Sequence, residues 1–184
     1  MKITPRAKLL LLAALFLAPI VASSLTYYLA RPGATSNYGE LLLPPAQAPA
    51  HAFLRDGGGR FAFAELAGQW AMVASDSGAC DAACMEKLKA MHLVRLALGR
   101  RASRVARVLV VEDPRTPAGV EAFEGMIVAR AQPGVSLPAG IAHDRAHIYL
   151  VDPHGNVMMR WPAAPDMKRM LRDLERVLRA SQIG

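Results

Sequence analysis

The two cysteines of the chain, Cys80 and Cys84, form a CxxxC motif after an apolar segment, Trp70–Ala74, that is predicted to be a buried strand. From Cys80 to about Leu98 the pattern is helical, and Gly99 is a suitable stop. The motif is therefore predicted to stand where a helix begins. Unpaired amides and the positive end of the helix dipole stabilise a thiolate there, which lowers the thiol pKa and makes a better nucleophile and metal ligand.

The spacing of the cysteines allows two kinds of chemistry. At positions i and i+4 of a helix, both sulfurs lie on one face, with Cβ atoms about 5–6 Å apart. From this separation they can chelate one metal ion or close into a disulfide. The alternative interpretations are a structural disulfide and two inert core cysteines, because cysteine is often simply buried.

The elements that position the motif are mixed strands and helices. A hairpin is predicted because glycine-rich turn residues separate two short apolar segments. A strongly apolar strand follows the cysteine helix, and a strand–turn–strand unit comes later. The predicted segments are the hairpin Phe53–Arg55 and Arg60–Phe63, the strand Val105–Val111, a short helix at Val120–Met126, a loop at Ala131–Ile141, and the strands His147–Val151 and Val157–Trp161.

The last helix has the clearest pattern of the chain. Its apolar residues recur at 3.6-residue spacing and its charged residues fall elsewhere, which indicates an amphipathic helix. Mixed elements around a central apolar strand favour a three-layer α/β sandwich. The apolar face consists of Met167, Met170, Leu171, Leu174, Val177 and Leu178.

The N-terminus predicts a membrane segment. The apolar stretch Leu9–Ala30 is long enough to cross the hydrocarbon core as a helix. Lys2, Arg6 and Lys8 precede it and Arg31 follows it, so residues 1–8 are predicted to be cytoplasmic and the remainder outside. A cleaved signal peptide is the alternative, and it exports the domain as well.

The exported part is predicted to have two sections. Residues 31–50 are rich in proline and are interpreted as a tether, and residues 51–184 as the folded domain. Leu41–Leu43 could dock on that domain. Exported cysteines meet an oxidising compartment, so the redox state of the pair becomes important.

Charge and motifs exclude several classes of function. The formal net charge is +7, but the basic residues are scattered and no aromatic residues alternate with them. This distribution argues against nucleic-acid binding and indicates a solvated basic face or an acidic protein partner. The sequence contains no phosphate-binding loop, no dinucleotide fingerprint, no zinc-protease motif and no serine-hydrolase elbow.

Three stretches together resemble the Sco/SenC family of cytochrome oxidase assembly proteins, as a divergent relative. They are FLRDGGGRFAFAELAGQWAMVAS, then CDAAC, then HIYLVDPHGNVMMRWP. The resemblance covers roughly residues 51–181. It implies a thioredoxin-like domain behind a single transmembrane helix in a bacterial inner membrane, with the domain in the periplasm.

The resemblance also implies a cofactor and a partner. Two cysteines and one histidine bind copper in that family, so the expected ligands are Cys80, Cys84 and His147 or His143. Asp144 is close to the position that the family's histidine occupies. Soft thiolates suit Cu(I) and imidazole suits Cu(II), so such a site can hold both states. The expected partner is the oxidase subunit that carries the copper centre.

The sequence departs from the family pattern around the motif. Asp81 and Met85 stand where family members often have proline, and Asp76–Gly78 replaces the usual aromatic residue. Two other functions are therefore kept as hypotheses. One is an exported thiol–disulfide oxidoreductase in which Cys80 attacks and Cys84 resolves the mixed disulfide. The other is a scaffold protein without metal, held by a structural disulfide.

Overall fold

The structure is a computed structural model that describes residues 4–29, 37–48, 53–130, 141 and 144–181. It divides the chain into two units, Met1–Ser36 and Asn37–Gly184. His143 and most of the predicted loop Ala131–Ile141 lie outside the described residues.

The first unit contains helix α1, Pro5–Leu29. Within it, Pro5–Thr26 is long and apolar enough to cross a membrane, judged by length and composition. A signal sequence near the N-terminus meets the same criteria. The predicted N-terminal apolar helix is thus confirmed, and it suits a membrane anchor.

The second unit is built on a sheet of eight strands among the described residues, in the order β1-β8-β7-β4-β5-β6-β2-β3. Strands β4, β5 and β6 are mutually parallel, and the remaining neighbours pair antiparallel. The mixed sheet confirms the predicted α/β class. The strands are β1 Glu40–Gln47, β2 Phe53–Arg55, β3 Arg60–Phe61, β4 Trp70–Asp76, β5 Val105–Val111, β6 Met126–Arg130, β7 His147–Val151 and β8 Asn156–Pro162.

Strand β4 lies inside the sheet between β5 and β7, and all seven of its residues are buried. A strand buried on both faces needs a continuous apolar run, which is what the sequence supplies. Two helices, α2 (Ala82–Ala97) and α3 (Met167–Ala180), pack with the sheet face that carries Met72 and Leu109. The opposite face packs against a separate cluster that includes three phenylalanines, Phe53, Phe61 and Phe63, and Ile141.

The expectation of a helix after β5 is wrong. The predicted helix Val120–Met126 is only a 3-10 turn at Val120–Ala122, and strand β6 begins at Met126. Gly125, at φ +75°, separates the turn from the strand. The strand opens with the short apolar run Met126–Ala129, and a run of this length does not distinguish a strand from a helix by periodicity.

The predicted tether also needs correction, because β1 falls inside it. Strand β1 pairs antiparallel with β8, with Glu40 opposite Arg160 and Gln47 opposite Asn156. Its register shifts between Leu41 and Ala46, which accommodates two prolines at the edge of the sheet. The compact unit therefore begins at Asn37 instead of residue 51.

Asp173 fastens this N-terminal segment to the last helix. As a charged residue it is expected on the polar side of α3, yet it is buried. Its carboxylate accepts hydrogen bonds from the amide of Gly39 at 2.8 Å, the amide of Tyr38 at 3.2 Å and the indole Nε1 of Trp161 at 3.1 Å. A single side chain thus satisfies donors from the segment before β1 and from β8.

Replacing Asp173 with alanine leaves these buried donors without an acceptor. We expect the free energy of unfolding to fall by about 3 kcal/mol, since each unsatisfied buried donor costs about 1–3 kcal/mol. Urea denaturation followed by the fluorescence of the buried Trp70 and Trp161 measures the change. Glu175→Ala on the same helix is the matched control, and we expect a loss below about 0.5 kcal/mol there. Equal losses in both variants would contradict this assignment.

His92, on α2, has a structural role that its sequence position does not indicate. Its Nδ1 lies 2.7 Å from Nη1 of the buried Arg107, so His92 accepts this hydrogen bond as a neutral imidazole. Burial, and then the charges of Arg107 and Arg95, lower the pKa of His92 below 6.5. Burial also lowers the pKa of Arg107 to about 10, which leaves it a cation at neutral pH.

This pair predicts a loss of stability in acid. Below about pH 6.5 the unfolded chain protonates His92 whereas the folded chain resists it, so the free energy of unfolding falls as the pH falls. In His92→Gln an amide oxygen can accept the same hydrogen bond without titrating. We expect unfolding measured between pH 7.5 and 5 to fall less steeply in this variant. Parallel curves for the two proteins would show that His92 does not contribute.

Candidate functional site

The cysteine motif lies between the end of β4 and the first turn of α2. Cys80 and Cys84 are joined in a disulfide with a Cα–Cα distance of 5.1 Å. Both side chains are buried, Cys80 at 6% exposure and Cys84 at 1%. Of the alternatives that the spacing allows, the structure contains the disulfide, and Cys80 lies just outside the helix instead of on its face.

The helix begins two residues later than the sequence indicates. Asp81 is the N-cap, and its carboxylate accepts the amide hydrogen of Cys84 at 3.0 Å. Cys80 precedes the cap and has a φ of +34°, which is unusual for a residue with a side chain. Aspartate is a preferred N-cap residue, so it sets the start of the helix. The cap uses one of the amides that was expected to be free for a thiolate.

The loop before the motif is held tightly against the chain that follows β5. The amide of Gly78 donates to Asp113 at 3.1 Å, and a Cβ at Gly78 would lie 2.0 Å from the carbonyl oxygen of Arg115. Only glycine fits such a close approach of two backbones. Hydrogen bonding from Arg115 lowers the pKa of Asp113 to about 2, so this carboxylate is an anion at neutral pH.

A buried ion pair lies next to the motif. Lys87, at 1% exposure, donates to Asp76 at 2.8 Å, to the carbonyl of Ser75 at 2.9 Å and to the carbonyl of Arg145 at 3.0 Å. The ammonium group is thereby fully satisfied, as a buried charge must be. Sequence reasoning singled out Asp76 but missed Lys87. The signal was a charged residue on the apolar stripe of α2, three positions after Cys84.

The predicted ligand His147 opens β7, which is the antiparallel neighbour of β4. Its Nδ1 lies 2.7 Å from a carboxylate oxygen of Asp144, and that carboxylate also accepts the hydroxyl of Tyr149. Burial raises the pKa of Asp144, but hydrogen bonds from Tyr149 and His147 outweigh this and hold it below the usual value. Burial, then the bond to Asp144, raises the pKa of Tyr149 to about 12.

This arrangement orients the imidazole. Because Nδ1 faces a carboxylate, the proton of the neutral His147 imidazole lies on Nδ1. Nε2 is then unprotonated, and its lone pair can bind a metal ion. Metal-binding histidines in proteins commonly have such a carboxylate behind them. The side chain is 30% exposed, so Nε2 can be reached from outside the sheet.

The predicted ligands do not all meet. Within the described part of the chain, no three His, Cys, Asp or Glu side chains come together as a group that could hold a metal ion. Cys80 and Cys84 are together, and His147 stands apart from them at the start of β7. The other candidate, His143, lies outside the described residues.

Comparison with protein families gives a direct match over most of the second unit. The profile of the family described as "Transmembrane-like, thioredoxin-like, C-terminal domain" matches residues 70–181. The chain belongs to this family. The thioredoxin-like fold that the resemblance implied is thereby confirmed for the domain that carries the cysteines. Among curated protein sequences, none matches the chain.

Solved structures with the same fold as this thioredoxin-like domain include Sco proteins. Apo Sco1 of Thermus thermophilus is 17% identical, with a TM-score of 0.61, over 79% of this chain and 99% of that one. Copper-bound ScoI of Arabidopsis thaliana is also 17% identical, with a TM-score of 0.59, over 74% of this chain and 100% of that one.

A neighbour of another kind is the thioredoxin domain of a thiol–disulfide oxidoreductase from Bacteroides vulgatus. It is 16% identical to this chain, with a TM-score of 0.54, over 74% of this chain and 98% of that one. At these identities the likeness concerns the fold. Neighbours of both kinds share the scaffold, so the choice of chemistry depends on the side chains of this chain.

The sulfur and imidazole side chains present are of the types that bind copper, although the described residues do not bring them together as one group. Reduction of the disulfide would provide two thiolates, and His147 presents an oriented imidazole nitrogen. Thiolates suit Cu(I), and imidazole suits Cu(II). The buried surroundings of the cysteines would keep solvent from bound metal.

Variants of the N-cap residue Asp81 test what controls the pKa of the Cys80 thiol. Asp81→Ser retains a capping side chain but removes the negative charge beside the cysteines. We expect the pKa of the Cys80 thiol in the reduced protein to fall, because a neighbouring anion disfavours the thiolate. The pH dependence of alkylation by iodoacetamide measures this.

Asp81→Ala is the companion variant, because it removes the charge and the cap together. It should also lower the stability of the protein by about 1 kcal/mol. An alkylation profile of Asp81→Ser that coincides with that of the natural protein would rule out control by this charge.

Proposed function

We propose that this protein is a membrane-anchored, Sco-like copper-binding assembly factor that serves the copper centre of a respiratory cytochrome oxidase. Cys80 and Cys84 hold copper together with His147 or His143. The observation that carries the proposal is the cysteine pair at the start of α2, and a histidine at the start of β7 that a carboxylate already orients supports it. The protein acts as a carrier and not as a catalyst.

The donors support this function in a defined way. Reduction of the Cys80–Cys84 disulfide by an external dithiol, which is itself oxidised to a disulfide, would transfer two electrons and two protons and provide two sulfur ligands. The third ligand would be Nε2 of His147 or an imidazole nitrogen of His143. Asp144 remains hydrogen-bonded to Nδ1 and fixes the tautomer of His147.

The location that we propose follows from α1. The basic residues ahead of the apolar stretch Leu9–Ala30, namely Lys2, Arg6 and Lys8, support a cytoplasmic N-terminus and a thioredoxin-like domain in the periplasm of a bacterial inner membrane. Residues 1–8 are cytoplasmic and residues 9–30 span the membrane. From there the domain can reach the oxidase subunit whose copper centre is assembled on the same side.

A second candidate is thiol–disulfide exchange, and the closed disulfide favours it. Reduced Cys80 attacks a disulfide of the partner and forms a mixed disulfide, which releases one partner thiolate. Cys84 then attacks the sulfur of Cys80, releases the second partner thiolate and closes the Cys80–Cys84 bond. The partner gains two electrons. The buried ion pair between Lys87 and Asp76 lies close to the segment that carries the two cysteines.

Copper binding by the reduced full-length chain in detergent tests the first function. Competition with chromophoric chelators measures affinity for Cu(I) and Cu(II) separately. We expect one equivalent of copper to bind, and Cys80→Ser to abolish binding. One of His147→Ala and His143→Ala should weaken Cu(II) binding by about tenfold or more, equivalent to about 1.4 kcal/mol.

Binding no tighter than that of Cys80→Ser would overturn the copper function. In that case reduction of a disulfide substrate such as insulin separates the remaining candidates. Activity above that of Cys80→Ser would establish the exchange function. If exchange activity is absent and the disulfide stabilises the fold, the remaining candidate is a scaffold protein with a structural disulfide. His154→Ala, in a turn of the same domain, is the matched histidine control.

A further inference from the structure

A third sulfur lies beside the cysteine pair. Sδ of Met85 is 3.7 Å from Sγ of Cys80. Met85 immediately follows Cys84 in the first turn of α2. The proposed copper site as described so far does not use this methionine.

The position of Met85 is defined from two sides. Its backbone amide donates to the carbonyl of the N-cap residue Asp81 at 2.9 Å, which fixes the start of the side chain. Beyond the sulfur, a Cβ at Gly119 would lie 3.2 Å from the Met85 methyl group. The absence of a side chain at Gly119 leaves room for the methyl group, and the thioether lies against Cys80.

The spacing of the sulfurs suits a single soft metal ion. Metal–sulfur bonds are about 2.3 Å long at protein thiolate sites, so three sulfurs arranged trigonally around one ion lie about 4 Å apart. The separation of 3.7 Å between the Cys80 and Met85 sulfurs is close to this value, whereas the sulfurs of Cys80 and Cys84 are joined in a disulfide and would reach it after reduction. Thioethers bind Cu(I) in preference to hard ions. They carry no proton, so their binding does not depend on pH.

We infer that Met85 is a ligand of Cu(I) in the reduced protein, where it completes a three-sulfur site with Cys80 and Cys84. This inference rests on the proposed copper function and refines it. It also accounts for the distance of His147, because a three-sulfur Cu(I) site needs no imidazole. The histidine is then needed for Cu(II), the state that favours nitrogen donors.

The test compares three proteins, each full-length, reduced and in detergent: the natural chain, Met85→Leu and Met167→Leu. Leucine preserves the approximate volume of methionine, so the fold should tolerate the change. Met167 is 44% exposed at the start of α3 and serves as the matched methionine control. Thermal unfolding of the copper-free proteins checks that each variant remains folded.

We expect Met85→Leu to weaken Cu(I) binding by about tenfold, measured by chelator competition, while Cu(II) affinity changes little. X-ray absorption at the copper edge should count three sulfur neighbours in the natural chain and in Met167→Leu, and two in Met85→Leu. A purely structural role of Met85 would move neither the sulfur count nor the preference for Cu(I).

The outcomes separate the inference from the function on which it rests. If the natural chain binds Cu(I) and Met85→Leu matches it in affinity and sulfur count, the role of Met85 is overturned and the copper function stands. If the natural chain binds no Cu(I), both fall together. A loss of affinity with an unchanged sulfur count would also overturn the role of Met85 as a ligand.

Discussion

The ammonium group of Lys87 joins the three segments that carry the candidate site. It belongs to α2, it pairs with Asp76 and the Ser75 carbonyl at the end of β4, and it reaches the Arg145 carbonyl ahead of β7. Burying a charge pair costs several kcal/mol of desolvation, which the attraction between the charges only partly offsets. The main effect of the pair is therefore to fix the positions of the segments that it joins, and its net contribution to stability is small. It holds the cysteine helix and the histidine-bearing strand at the same end of the sheet.

Local patterns were sufficient to predict the elements around the motif. The apolar runs of β4 and β5 and the periodicity of α3 are properties of short stretches of sequence, and the structure confirms all three. The strand before a CxxxC motif and the helix after it also follow from local signals. Two predictions failed because the cause of the feature lies elsewhere in the chain. Strand β1 exists because β8 offers it an edge, and Asp173 is buried because Gly39 and Trp161 supply donors.

The same division applies to the candidate site. The cysteines could be found from type and spacing alone. The imidazole of His147 could be named as a candidate, but its orientation depends on Asp144, which the sequence pattern does not indicate. Carboxylate and imidazole lie three residues apart and are hydrogen-bonded to each other. The sequence did not indicate a role for Lys87 or a ligand role for Met85, because a lysine and a methionine on a helix are usually ordinary surface or core residues.

Access to the sulfurs distinguishes the two candidate chemistries in physical terms. Thiol–disulfide exchange requires a partner sulfur to approach the reacting sulfur closely, which demands an open path for a bulky group. Cys84 is 1% exposed and Cys80 6%, and the thioether of Met85 occupies space beside Cys80. A single ion needs far less room, and soft sulfurs that obstruct a protein partner are themselves suitable ligands for Cu(I). The crowding that disfavours exchange therefore favours a site that receives a small, soft cation.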